Sequence, residues 1–284
     1  MKVFEKSAIF FLIFFGTVLL VGCASTVSRD KVTHTNFCRA KYEAAEELFK
    51  KQKYGRTQDK LEEILSKCAG TGYMEKSQFL LAETYFNLEE WIEARGEYGS
   101  FVMNFPGSPF AETAAYRKAV SAYNIKFKVS RDETNTTTAM KDFERYLDDY
   151  PDTPLRDSVN YYYEQLIERM AEKEFQTARL YMRMDKPQAT VIYLKEFLDT
   201  YPKSKRRQES LFMITEAYTE LDQFEAARSY LNIARTDNAG DKDVLKKIEK
   251  TEKSIAKAEA KFEKKLKRDA EKNRVQKEEK EMTN

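Results

Sequence analysis

The stretch from Tyr73 to Pro106 sets the terms for the rest of the chain. Phe79, Ala82, Tyr85 and Phe86 recur at steps of three and four. After the turn Asn87-Leu88-Glu89-Glu90, Trp91, Ala94, Tyr98 and Phe101 do the same. Each run marks one apolar helical face. Pro106 has no amide proton to donate and ends the unit. The spacing predicts two amphipathic helices folded back to back.

The frame returns along the chain. Taking Ala82, Tyr85, Trp91, Ala94, Tyr98 and Phe101 as the ruler, a step back of 37 residues meets Ala45, Leu48, Tyr54, Thr57, Leu61 and Ile64. A step forward of 96 meets Ala178, Tyr181, Pro187, Thr190, Leu194 and Phe197, with Pro202 at the exit. A further 37 meets Thr215, Tyr218, Phe224, Ala227, Leu231 and Ala234. A fifth copy is interrupted: Tyr116, Val120 and Tyr123 on one helix, then Ala139, Phe143, Tyr146 and Pro151 on the other. Paired helices with a period near about 34 residues resemble the tetratricopeptide repeat (TPR) family. The expected fold is all-α: a TPR solenoid of five helix pairs over about residues 37–238.

Two departures from the frame are legible. Between Tyr123 and Thr136 the spacing is longer than elsewhere, and KVSRDETN reads as an exposed loop inside the third pair, over residues 127–153 with the end of that pair. Pro109 is expected to open the third pair. From Leu155 to Met184 no Gly or Pro interrupts a run of helix formers. This predicts an extra long helix before pair four, with pairs four and five inside 154–240. From Asp241 on, the last 44 residues hold 15 Lys/Arg and 11 Asp/Glu, with Ile248, Ile255 and Phe262 every seven residues. That segment, 241–284, reads as a charged C-terminal helix, either solvated or held for a partner.

The N-terminus is a targeting segment. Lys2 and Lys6 precede an apolar run from Ala8 to Val21, shorter than the roughly 20 residues that span a bilayer. Leu20-Val21-Gly22-Cys23 resembles a bacterial lipobox. The resemblance implies a leader over 1–22, removal before Cys23, and acylation of Cys23. Ala24 at the next position implies, by the same resemblance, sorting to the outer membrane. Residues 23–36 are polar and aperiodic and read as a lipidated tether, with the only histidine, His34, solvated in it.

Enzyme chemistry finds no place here. One histidine excludes most Ser-His-Asp and Cys-His arrangements. No Gly-rich phosphate loop and no Cys-x-x-Cys is present, so no cofactor or metal is expected. A net charge of +2 argues against nucleic acid. Cys38 and Cys68 stand equidistant from Lys53, in the first hairpin's turn. In an exported protein they either close a disulfide across the open end of that hairpin or remain two buried apolar cysteines.

In TPR folds the first helix of each pair lines the groove. The corresponding positions here carry Arg39, Tyr42, Phe49 and Lys50 in the first pair and Lys76, Phe79 and Phe86 in the second. These aromatics either line a groove or pack between neighbouring pairs. Arg131 to Ser158, RDETNTTTAMKDFERYLDDYPDTPLRDS, resembles the third repeat of the BamD family of outer-membrane protein assembly lipoproteins. Phe197 to Ser204, FLDTYPKS, resembles the end of that family's fourth repeat.

The resemblance implies a non-enzymatic scaffold on the periplasmic face of the outer membrane. It would bind the insertase BamA through its POTRA domains, other subunits of the machinery, and unfolded barrel proteins. By the same resemblance the last two pairs face BamA, where Lys203, Lys205, Arg206 and Arg207 form a basic cluster. The alternative at that cluster is a solvated basic turn. The groove of the first two pairs would take the aromatic-ended C-termini of barrel clients. A TPR lipoprotein of another envelope machine, a secretin pilotin or a peptidoglycan-synthesis coordinator, is the other reading of the same features.

Overall fold

In the computed structural model, residues 31–125 and 134–282 are described. The leader, Cys23, the first part of the tether and most of the expected loop KVSRDETN lie outside them, and the last two residues of that loop, Thr134 and Asn135, open α6. The described residues form eleven helices and no strand. Helix α1 spans residues 31–50. It is followed by α2 (Tyr54–Lys67), α3 (Tyr73–Asn87), α4 (Trp91–Asn104), α5 (Ala111–Asn124) and α6 (Thr134–Asp149). Then come α7 (Arg156–Arg183), α8 (Pro187–Thr200), α9 (Arg207–Glu220), α10 (Phe224–Asp237) and α11 (Lys242–Met282). The fold is an all-α TPR solenoid, with α7 as the extra long helix.

Small residues of the frame sit where helices cross. Ala45, Ala82, Ala94, Ala139, Ala178 and Ala227 are fully buried, and so are Thr57, Thr190 and Thr215. The threonines occupy alanine positions without orphaning a hydroxyl: each donates to the carbonyl four residues back, at Lys53, Lys186 and Leu211. Large frame residues fill the space between, among them Leu61, Tyr98, Phe101, Phe143, Tyr146, Leu194, Phe197 and Leu231.

Two small devices repeat with the frame. Gln52, Glu89, Asp185 and Asp222 sit two places before the second helix of their hairpins, each with φ between 55° and 59°. At each, the amide bonds three residues back and the next amide bonds five residues back, as Glu89 N→Phe86 O and Glu90 N→Tyr85 O. This is the Schellman stop, normally built on glycine. At the exits of pairs two to five, Ser108, Thr153, Ser204 and Asp241 accept an amide from two residues on, which starts the next helix. That turn displaces the expected start of the third pair: Pro109 lies in it, and α5 begins only at Ala111.

The tether reading also changes at its C-terminal end. Residues 31–36 continue α1 with exposed side chains, because the helix is tied down just beyond them at Cys38, which is fully buried. His34 is exposed on this turn, with Nε2 3.9 Å from Cys38 Sγ.

The chain divides into two compact units inside α7, the first closing at Val159 and the second opening at Asn160. In the first, Cys38, Ala45, Leu61, Ile64, Cys68, Leu80 and Leu81 form one cluster, and Ala82, Ala94, Tyr98, Phe101 and Ala114 the next. In the second, α7 from Ala171 onward packs with α8, α9 and α10, and Val244, Ile248 and Ile255 of α11 close the cluster. The charged tail is thus a capping helix over its first half. Its seven-residue stripe covers Phe224, whose ring lies 5.9 Å from that of Phe262.

Candidate functional site

Cys38 and Cys68 are joined in a disulfide with Cα atoms 5.9 Å apart. The bridge ties α1 to the exit of α2. Beside it, Lys41 on α1 reaches both carboxylate oxygens of Glu63 on α2 at 3.0 Å, and Lys67 adds a second cation at 3.0 Å. The two ammonium groups hold the Glu63 carboxyl down to about 2, with the Lys41 hydrogen bond the largest cause.

The groove aromatics of the first two pairs fall into two packed groups. Tyr42 and Phe49 lie against the first cluster, Tyr42 5.8 Å from the Tyr73 ring and Phe49 5.4 Å from the Tyr54 ring. Burial, then the Glu46 carboxylate, pushes the Tyr42 phenol up to about 12. Phe79 stacks on Phe110 at 4.8 Å and also meets Tyr98 and Phe101. Phe86 meets Trp91 edge-on at 5.1 Å and carries the Arg117 guanidinium over its face at 4.6 Å. All four rings are half-buried. Packing between neighbouring helices therefore explains much of their presence, and only part of each ring faces solvent.

The cations around them are more available. Arg39, Lys50 and Lys76 are exposed. Lys50 pairs with Glu46 at 2.6 Å, and Lys76 lies 5.9 Å from the Tyr73 centroid.

The basic cluster after α8 splits in two. Arg206 is clasped inside its own unit: Nε and Nη2 meet Glu172 at 2.6 and 3.1 Å, Nη1 meets Glu209 at 2.8 Å, and the guanidinium lies over Phe175 at 5.2 Å. Arg207 pairs with Asp237 at 2.8 Å. Lys203 and Lys205 are exposed and make no ion pair with a described residue. The two arginines that sequence reasoning offered to a partner thus lock α9 onto α7 and α10, and only the lysines remain free.

Sequence reasoning missed a cavity of about 640 Å³ in the second unit, between α9 and α11. Met182, Phe212, Met213 and Ile255 give it apolar walls, while Glu209, Glu216 and Glu220 face Lys247 and Lys250. Burial, followed by Glu216 and Asp185, raises the Glu220 carboxyl. The Lys247 ammonium sits 4.0 Å from the centre of the Phe212 ring. Phe212 stands at the groove position of the fifth pair that Phe79 holds in the second, which was the one available signal. Among the described residues no group of His, Cys, Asp and Glu is arranged to hold a metal, and no helix is long and apolar enough to cross a membrane.

The profile of the outer membrane lipoprotein family YfiO matches residues 37–232, which takes in most of all five pairs. The chain belongs to the YfiO family of outer membrane lipoproteins. Curated proteins similar to this chain carry the name outer membrane protein assembly factor BamD. The Rickettsia prowazekii protein is 23% identical over 186 residues, 66% of this chain and 74% of its own. The Caulobacter vibrioides protein is 24% identical over 153 residues, 54% of this chain and 50% of its own. Among solved structures, the TPR2AB domain complex of yeast Sti1 aligns at a TM-score of 0.43 and 10% identity, covering 78% of this chain and 87% of that one. The YfiO match ends at residue 232, before α11.

Proposed function

We propose that this chain is a non-catalytic, lipid-anchored scaffold for assembling β-barrel proteins at the outer membrane. The observation that carries the reading is the family match across the TPR pairs, among relatives named as assembly factors. A TPR solenoid supplies extended surfaces and rigid spacing, which suit holding partners together. Acylated Cys23 is the anchor in this reading, and three acyl chains there give far firmer attachment than the marginal binding of one.

The partner of the second unit is the insertase BamA, met by carboxylates of its POTRA domains. Lys203 and Lys205, exposed and in no ion pair with a described residue, are the contacts on this side. Unfolded barrel proteins are the clients, and their C-termini bind over the exposed edges of Tyr42, Phe49, Phe79 and Phe86. Arg39, Lys50 and Lys76 favour the terminal carboxylate there. Exposed ion pairs contribute only about 0–1 kcal/mol each, so binding is weak and fast-exchanging, as a hand-off needs.

The test is purification of the tagged full-length protein from its native membranes. BamA is expected to co-purify, and to be lost with Lys203→Glu and Lys205→Glu at physiological salt. Recovery without BamA overturns the assembly reading. Recovery of BamA with the double variant moves the contact elsewhere.

A further inference from the structure

Helix α11 runs for 41 residues, about 60 Å at the α-helical rise, but its core contacts end near Phe262. From Glu263 to Glu278 every side chain is exposed. A lone helix of this length needs a reason to persist in water, and its charges are not scattered. Lys257, Lys261, Lys265, Arg268 and Lys272 follow one another at steps of three and four, and so share one face. All five are exposed and none makes an ion pair with a described residue. The row is about 22 Å long by the same rise.

The carboxylates lie elsewhere on the helix. Glu252 and Glu259 flank the apolar stripe and pair with Arg235 and Arg228 of α10. Glu271 pairs with Arg274. Turning by about 100° per residue, Glu259, Glu263, Asp269 and Glu271 all fall about 80° or more from the centre of the basic row. The apolar stripe and the α10 ion pairs fix the helix's rotation about its axis, so the basic row cannot turn inward. A neutralised helix of ordinary mixed charge would show neither this segregation nor this fixed orientation.

We propose that the basic row of α11 is a docking surface for a bilayer of anionic phospholipid. Charge complementarity selects the occupant: a straight row of five fixed cations matches a plane of phosphate headgroups better than a compact acidic protein. No apolar residue belongs to the row, so the helix lies on the headgroups and does not insert. A membrane lies within reach of an outer membrane lipoprotein. Polybasic segments gain roughly five-fold in binding per Lys or Arg near such a surface, falling with salt. Together with acyl chains the row would orient the second unit against the bilayer, a second attachment that the TPR pairs do not carry.

The experiment is vesicle flotation with the chain from Ala24 to Asn284, which keeps every described helix and lacks acyl chains, so that only side chains can hold it. Vesicles containing phosphatidylglycerol should carry the protein at low salt, and neutral phosphatidylcholine vesicles should not. Reversal of Lys261, Lys265, Arg268 and Lys272 to Glu should weaken binding by about a hundredfold or more. A variant ending after Phe262 should lose most of it too. A control with Arg39, Lys53, Lys203 and Lys205 reversed carries the same net charge and should still bind. Equal flotation of wild type and the α11 variant, or equal loss in the control, overturns the proposal. Because the reversed residues touch no core, circular dichroism and melting of the variant should match wild type.

Discussion

Breaking the Cys38–Cys68 bridge should release one end of the first hairpin while leaving the rest of the chain folded. The two cysteines are 30 residues apart in sequence. On the loop-closure model a cross-link of that span limits the unfolded chain by about 3.6 kcal/mol at 25 °C. That is a large share of the roughly 5–15 kcal/mol a domain has in total. Both cysteines are fully buried, so reductant reaches them only through opening of α1, and reduction should be slow at room temperature.

The assay compares oxidised wild type, reduced wild type and Cys38→Ala with Cys68→Ala, by thermal melting and by hydrogen exchange. Reduced wild type keeps both sulfurs, so its loss reports the cross-link alone, and the double variant adds the lost packing. Because the chain has two units, the melting change should appear as an earlier first transition. Amide protection should fall over residues 31–67 and stay unchanged in α8 to α10. If reduction leaves both the melt and the exchange of α1 unaltered, the bridge adds nothing and Lys41–Glu63 with the apolar cluster suffices.

Two further predictions follow from the same two pairs. The Glu63 carboxyl is held at about 2 against an ordinary 4.5, so its ion pairs stabilise fully above about pH 4.5 and that stability is lost as pH falls toward 2. Glu63→Gln should flatten the pH dependence of melting between those limits, and an unchanged slope would remove Glu63 from the account. Glu89, at φ 59°, should accept glycine with a gain of up to about 1 kcal/mol, because the left-handed region costs other L-residues about 1–2 kcal/mol and glycine's added chain entropy returns part of it. Glu89→Val, measured by the same denaturant midpoint, should lose stability; a gain with valine would refute the strain argument.

Much of the fold is local information, and the sequence carries it. Helix faces, turns and pair exits repeat because each TPR pair buries only its neighbours, so apolar spacing and a proline suffice to place Ala82, Tyr98 or Phe197 in the core. Gln52, Glu89, Asp185 and Asp222 hold one place in the frame with positive φ, although they share no single residue type that would announce it. Backbone hydrogen bonds set that conformation, not the side chain.

What the tertiary structure alone decided is how charged and aromatic side chains are used once neighbours surround them. Spacing brings Arg206 and Arg207 to the turn after Pro202, but only packing brings Glu172 and Asp237 to meet them and takes them out of reach of a partner. Phe79 and Phe86 stand at groove positions in the frame, yet Phe110, Trp91 and Arg117 arrive from other turns and helices to cover them. The stripe of Ile248, Ile255 and Phe262 reads as a seam on a solvated helix until α10 offers Arg228, Arg235 and Phe224 beside it. Periodicity fixes which way a side chain points along its own helix. What it points at depends on residues distant in sequence, and that is settled only when the helices pack.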